Sequence, residues 1–360
     1  MEKLRVALLF GGVSSEHEVS CVSASTILEH LDPEKYIVYP IGITRQGSWY
    51  LCGCSIAEIS DGRWEHTPLR RCVLSPDRAD RGFLILEEGK NPEALPVDLV
   101  FPVLHGRNGE DGRVPALCQL AGLPFVGCDM LSSAVCMDKA VANSLFDHAG
   151  IPRCEWTWAD RVRCHKDPLA VARQAAEKLG WPIFVKPANA GSSVGISKAG
   201  CEEELLKAME VALEQDDKVV FERFVEGQEV ECAVLGNDEL MATHPGEILA
   251  GAEFYTYDDK YKNGVSQTLI PARLSPEKLD EVTAQAKKAY RTLGCQGLAR
   301  CDFFVEKDTG RVLVNEINTL PGFTAISMYP KLMEDAGLPL PQLLDRLISL
   351  GLERAGRCYG

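Results

Sequence analysis

The chain has 360 residues, 46% of them hydrophobic and 25% charged; that balance excludes intrinsic disorder, and the length calls for two or three domains around one cleft. Lys and Arg number 38 against 52 Asp and Glu, a net charge of −14 without a basic cluster, which argues against nucleic acid or an anionic membrane as a partner. No apolar run approaches the ~20 residues of a membrane span, and the short run in MEKLRVALLFGG falls below a signal-peptide core, so a cytoplasmic location is expected.

Residues 1–128 alternate strand and helix patterns. RVALLF (5–10) reads as a buried strand, and GGVSSEHEVSCVSASTILEHL opens a helix with Ser15 and Glu18 as its capping pair. YIVYPIGIT (36–44) is a second strand. From Cys52 to Pro96 glycine, proline and mixed charge leave no clean period, so this stretch reads as decoration. VDLVFPVLHG (97–106) is a central strand that runs into Arg107-Asn108-Gly109-Glu110-Asp111-Gly112. The alternation predicts an open parallel sheet whose ligands sit beyond the strand ends. Glu16, on the first strand-to-helix turn, is placed to meet an ammonium group. Glu110 and Asp111 suit the cap of the next helix.

Residues 129–227 begin with a helix over 131–148 that contains Asp138-Lys139, followed by a linker at Ile151-Pro152. A helix over 167–179 ends at Gly180, and the strand WPIFVKP (181–187) leads into NAGSSVGISK. A helix over 202–214 and the strand KVVFERFV (218–225) close this segment. Lys186 ends an apolar strand ahead of Gly191-Ser192-Ser193-Val194-Gly195. Glycines let backbone N–H groups close over phosphate, serines add hydroxyl donors and the lysine supplies charge. The loop is neither a Walker A nor a GxGxxG motif, and alone it would be an ordinary turn. Glu222 and Glu229 bracket FERFVEGQE, where carboxylates beside Phe224 and Val225 suit an adenine amino group and ribose hydroxyls; a solvated hinge accounts for them equally well.

Residues 228–360 start with the strand EVECAVLG (229–236). A polar, tyrosine-rich stretch over 251–267 is expected to be a mobile loop, and a helix is expected over 276–293. LARCDFFV and RVLVNEIN, split by Lys307-Asp308-Thr309-Gly310, read as a β-hairpin, and a last helix spans 341–350. Residues two apart on a strand share a face, so Glu316 and Asn318 point together and the hairpin can bring Asp302 beside them. Two carboxylates and an amide oxygen suit Mg²⁺ carrying nucleotide phosphates; the alternative is an acidic, solvated hairpin face. The fourteen cysteines are scattered without a CxxC pair and read as small core hydrophobes.

GGVSSEHEVS, HGRNGEDG, MDK at 137–139, KPANAGSSVG, EFYTYDDKY, RCDFF and NEINTLPGFT stand in the order of the D-alanine–D-alanine ligase family of the ATP-grasp superfamily, which the chain resembles over nearly its whole length. The resemblance implies an N-terminal open parallel α/β domain (1–128) that binds substrate, followed by a two-part ATP-grasp fold. The small part is 129–227, and the catalytic part, with the metal site and mobile loop, is 228–360. It implies ATP-dependent joining of two D-alanines through an acyl phosphate, for peptidoglycan precursor synthesis. ATP and two Mg²⁺ ions, with Mn²⁺ as a substitute, are the expected cofactors, and a homodimer is the expected assembly.

Carried over residue by residue, Lys139, Lys186, Ser193, Glu222, Phe224, Val225, Glu229 and Lys260 match nucleotide-binding positions. Asp302, Glu316 and Asn318 match the metal ligands. Glu16 matches the anchor of the first D-alanine's ammonium, with Ser192 and Tyr261 as its hydrogen-bonded partners, and His105 lies near that substrate's carboxylate. Arg300 and the Gly322 N–H face the oxyanion, and Ser327 with Met328 marks the second substrate's carboxylate site. The intact Lys260-Tyr261 pair and the uncharged Met328 favour D-alanine as second substrate. D-Alanine–D-serine ligation is the alternative within the class, and a non-catalytic ATP-binding protein the alternative outside it. A dinucleotide-dependent dehydrogenase would need a glycine fingerprint that GGVSSE does not supply.

Overall fold

The computed structural model describes residues 2–191, 194–249 and 267–358. β1 (Leu4–Gly11) carries the VALLF run, and its alternate side chains serve two cores. Val6, Leu8 and Phe10 pack with Ala24 and Ile27 of α1 (His17–His30), while Ala7 and Leu9 pack on the opposite face. β2 (Tyr36–Ile43) and β7 (Leu99–Pro102) flank β1 in parallel.

These three strands are the parallel unit expected from the alternation, and the rest of the sheet is antiparallel. β3 (Trp49–Cys52), β4 (Leu69–Leu74), β5 (Gly82–Ile85) and β6 (Glu93–Pro96) extend it antiparallel, in the order β6-β5-β4-β3-β2-β1-β7. The stretch read as decoration supplies β4 to β6. These strands are short and partly exposed, so they leave no alternation to read. The same stretch holds α2 (Ile56–Ser60) and a single 3₁₀ turn, Arg63–His66, whose Trp64 is fully buried edge-on to Phe10. Gly42 faces that ring, and a Cβ there would meet it at 2.4 Å.

One helix start differs from expectation. α1 is capped at Glu16 without a side-chain bond, and Ser14 Oγ rather than Ser15 accepts from the Glu16 N–H at 3.1 Å. α3 (Arg113–Ala121) starts at Gly112, with φ 88°, and the Asp111 carboxylate accepts from its first N–H, that of Arg113, at 3.3 Å. The expected helix 131–148 is two helices, α4 (Met130–Met137) and α5 (Lys139–His148). Asp138 ends one and caps the other, its carboxylate accepting from the N–H groups of Ala140 and Val141. An aspartate that offers its own acceptor to the next turn breaks a helix that periodicity alone would continue.

A four-stranded antiparallel sheet follows, made of β8 (Trp156–Asp160), β9 (Ile183–Pro187), β10 (Ser197–Ala199) and β11 (Lys218–Arg223) in the order β10-β9-β11-β8. After α6 (Arg161–Lys166), α7 (Pro168–Leu179) and α8 (Glu202–Gln215) cover one face through Ala172, Ala175, Leu205 and Ala212.

The third sheet contains β12 (Gly227–Gly236), β13 (Met241–Ala242), β14 (Gly246–Leu249), β15 (Gln267–Leu269), β16 (Gly297–Glu306) and β17 (Val312–Asn318), all antiparallel. α9 (Pro276–Thr292) packs on one face. On the other lies α10 (Met328–Asp335), and α11 (Leu340–Cys358) returns to the first sheet, so both sheets share one core. Glu247 on β14 forks onto Arg273, which holds its carboxyl down at about 2. The thirteen cysteines whose side chains are described are buried apart from half-buried Cys54 and exposed Cys201. Burial pushes the thiols of Cys21, Cys72 and Cys118 up to about 12. Among the described residues no helix is long and apolar enough to cross a membrane.

Candidate active site

The hairpin of β16 and β17 turns through Gly310, whose N–H donates to the Glu306 carbonyl at 2.8 Å. Asp302 faces Glu316 and Arg300 faces Asn318 across the ladder. Asn318 Nδ2 lies 2.9 Å from Asp302 Oδ2, so the three expected metal ligands are neighbours. The register slips at Asp302/Phe303, leaving Asn315 as the extra residue. A bulge overrides the two-residue alternation. Asn315 therefore lines the same cavity as Glu316, and its Oδ1 accepts from Lys186 Nζ at 3.2 Å.

Arg300 forks onto Asp302 through Nε and a terminal nitrogen, both at 2.7 Å. Its Nε also lies 3.0 Å from Glu231 on β12, the residue opposite Asp302. Sequence reasoning named Glu229 and missed Glu231. The signal was available, since two glutamates two apart on one strand share a face.

The second cluster comes from the four-stranded sheet. Lys186 on β9 meets Glu222 on β11 at 2.6 Å, both buried, and Asn143 of α5 donates to the other oxygen of Glu222 at 3.3 Å. Burial opposes the charge of each, but their mutual attraction wins: the ammonium is raised and the carboxyl lowered. Glu222, expected on an adenine amino group, is thus already bonded to protein. Lys139 donates to the Ala190 carbonyl at 2.9 Å and sits 3.3 Å from Glu316.

Lys139, Lys186, Glu222, Asp302, Glu316 and Asn318 line a cavity of about 360 Å³ with Val225 and Glu229. Phe184 and Phe224 stack there at 5.8 Å, and Lys198 Nζ lies 4.6 Å over the Phe224 ring. An apolar slot beside carboxylates and lysines suits a flat base with an anionic tail.

At the substrate end, the Glu16 carboxylate sits between the HGRNGEDG turn and the glycine loop. A Cβ on Gly106 would lie 2.3 Å from Glu16 Oε2, and one on Gly191 would lie 2.9 Å from it. His105, expected at a substrate carboxylate, has both ring nitrogens committed to protein, at the Leu320 carbonyl (2.9 Å) and Ser23 Oγ (3.2 Å). Burial lowers its pKa, so the ring is neutral. Glu110 does not cap α3. It accepts from the N–H groups of Gly106 (2.7 Å) and Leu320 (3.2 Å), and burial beside Glu16 pushes its carboxyl up to about 8.

Ser327 Oγ accepts from the Thr324 N–H at 3.0 Å, and a Cβ on Gly322 would lie 2.7 Å from that oxygen. Met328, expected at the second substrate's carboxylate, is buried in the core instead. Its sulfur fills the space where Gly246 has no side chain, 2.8 Å from the Cβ a larger residue would carry. Ser192, Ser193, Lys260 and Tyr261 lie outside the described residues.

The family model described as D-ala D-ala ligase N-terminus matches residues 5–128, and the one described as D-ala D-ala ligase C-terminus matches residues 145–349. The chain belongs to the D-alanine–D-alanine ligase family. The D-alanine–D-alanine ligase of Caldicellulosiruptor bescii is 48% identical over 98% of this chain and 96% of its own length. That of Acetivibrio thermocellus is 46% identical over 98% and 97%. Among solved structures, the VanG D-Ala:D-Ser ligase from Enterococcus faecalis aligns with a TM-score of 0.88 at 41% identity, covering 97% of this chain and 100% of that one. The D-alanine–D-alanine ligase from Coxiella burnetii aligns at 0.85 and 35%, covering 99% of each. These relatives match the ATP-grasp architecture, and the ligase family accounts for the order of motifs along the chain.

Proposed function

We propose that this chain uses ATP to join two D-alanines through an acyl phosphate, giving D-alanyl-D-alanine for peptidoglycan precursors. The observation that carries the reading is the meeting, on one cavity, of Lys186–Glu222, Lys139–Glu316 and the Asp302–Glu316–Asn318 trio beside Arg300. Phosphoryl transfer to a carboxylate brings anions together, and these cations oppose their repulsion.

The oxygen-only donor set of Asp302, Glu316 and Asn318 fits Mg²⁺, with two ions expected and Mn²⁺ as a substitute. The metal would supply neutralisation of the nucleotide phosphates. Lys139, Lys186, Ser193 and Lys260 serve the phosphates, while Glu222, Phe224, Val225 and Glu229 serve the nucleoside. Glu16 takes the ammonium of the first D-alanine, with Ser192 and Tyr261 linking it to the stretch over 251–267. Arg300 and the Gly322 N–H face the oxyanion formed when the second amine attacks. Ser327 offers the hydroxyl for the second carboxylate. Residues 1–128 serve as the substrate domain, 129–227 and 228–360 as the two halves of the nucleotide clamp. The working form is a cytoplasmic homodimer.

A second reading, D-alanine–D-serine ligation, draws on the likeness to the VanG D-Ala:D-Ser ligase. One assay separates the two: phosphate release and product mass with D-alanine, L-alanine, D-serine and D-lactate, alone and mixed. Dipeptide from D-alanine alone is expected. Absence of D-alanine-dependent phosphate release overturns the ligase reading, and a majority of D-alanyl-D-serine from an equal mixture replaces it with the second.

A further inference from the structure

The loop between β17 and α10 is gripped by side chains of the first segment. His105 Nδ1 bonds the Leu320 carbonyl at 2.9 Å, Glu110 accepts the Leu320 N–H at 3.2 Å, and Ser23 Oγ accepts the Phe323 N–H at 3.2 Å. His105 Nε2 and Ser23 Oγ are joined at 3.2 Å.

In the neutral ring the partners of His105 fix its hydrogen. A carbonyl can only accept, so Nδ1 carries the ring hydrogen; Nε2 then accepts from the Ser23 hydroxyl, whose oxygen keeps a lone pair for the Phe323 N–H. His105 is 4% exposed and Ser23 fully buried, so water does not compete for these bonds.

Gly322 stands between the two held peptides. Pro321, with its ring-fixed φ, precedes it, and Ser327 crowds its Cα from the other side. The direction of the Gly322 N–H is thereby set from both flanks. Tying two layers together needs no such arrangement, since apolar packing does that throughout the shared core.

We propose that Ser23, His105 and Glu110 are positioning residues that aim the Gly322 N–H at the oxyanion of the amine-attack step. The inference rests on the reading of Gly322 given under Proposed function. In that step the amine nitrogen bonds to the acyl carbon, the carbonyl pair moves onto oxygen, and its return expels inorganic phosphate while the nitrogen sheds a proton. A misaimed donor slows this step and spares the earlier phosphoryl transfer, so acyl phosphate is lost to water.

The test measures kcat, KM for ATP and dipeptide formed per phosphate released, on the full chain, for Ser23→Ala, His105→Ala, His105→Asn and Glu110→Gln. Removing an oxyanion donor outright costs about 10²–10³-fold in kcat. Misaiming one is expected to lower kcat roughly 10- to 100-fold, with KM for ATP nearly unchanged and dipeptide per phosphate below one. His105→Asn, whose Nδ2 overlays the lost Nδ1, recovers most of the loss seen in His105→Ala. Should the alanine variants fail to fold, the near-isosteric Glu110→Gln decides and is expected to be uncoupled. Ser23→Ala, His105→Ala or Glu110→Gln variants that stay coupled one to one, or whose kcat and KM shift together without uncoupling, overturn the inference. A wild-type protein without D-alanine-dependent phosphate release overturns the underlying ligase reading instead.

Discussion

Lys186 lines the cavity from one sheet, and Arg300 on another bonds two of its lining carboxylates; their anions are arranged differently. Lys186 ion-pairs with Glu222, with Asn315 beside it and Glu316 adding to the negative field. Arg300 lies between two, Asp302 and Glu231. The first pair can stay as it is when a nucleotide arrives. On the proposed reading the second cannot, because Asp302 would also ligate the metal. Glu231 would then be the anion that keeps Arg300 in place. A buried cation that must change partners is given a spare one.

Breaking the simpler pair should produce the largest effect. Glu222→Ala leaves the buried Lys186 ammonium without its carboxylate, and loss of one partner of such a pair costs about 3–5 kcal/mol of stability; chemical denaturation measures it. The folded carboxyl of Glu222 is depressed, so its contribution is present above the usual carboxylate range and lost as pH falls through the depressed value. Glu222→Ala should remove that part of the acid sensitivity.

The shared carboxylates come next. Asp302→Ala and Glu316→Ala should each lower kcat/KM by roughly 100-fold or more, at least the ~2.7 kcal/mol typical of a single electrostatic group. Thermal unfolding should move less than in Glu222→Ala, because Arg300 keeps Glu231 when Asp302 is lost. Wild-type turnover in either variant would sink the metal assignment.

Glu231→Gln tests the spare partner itself. It should cost about 1.5–3 kcal/mol in kcat, the worth of a hydrogen bond to a charged group, with KM for ATP preserved. An unchanged kcat would mean that Asp302 alone holds Arg300. The smallest effect is expected from Tyr261→Phe. One lost hydrogen bond of about 0.5–1.5 kcal/mol should raise phosphate release over dipeptide; strict coupling there would show the hydroxyl to be idle.

The hairpin could be read in advance because period two and a Gly310 turn leave little choice for Asp302 and Glu316. Asn315 could not, because one inserted residue reverses the parity that such a reading depends on. β4 to β6 escaped because strands with one half-wet face carry too few apolar positions to form a pattern. The break at Asp138 escaped because an aspartate mid-helix and an aspartate cap look alike until the next turn is seen. For His105 and Met328, residue type and order were legible but side-chain direction was not. One bonds Leu320 and the other fills the space beside Gly246, and both choices are made by segments distant in the chain.

The cysteines offer a practical handle. Thiol reagents attack the thiolate, and burial suppresses it at nearly every described position. Of the thirteen cysteines whose side chains are described, Cys201 alone is exposed, at the start of α8 on the four-stranded sheet. A fluorophore placed there by ordinary maleimide chemistry, with Cys358 replaced by serine, would ride on the layer that carries Lys186. Its signal would report how that layer moves when nucleotide enters, while the buried thiols stay silent.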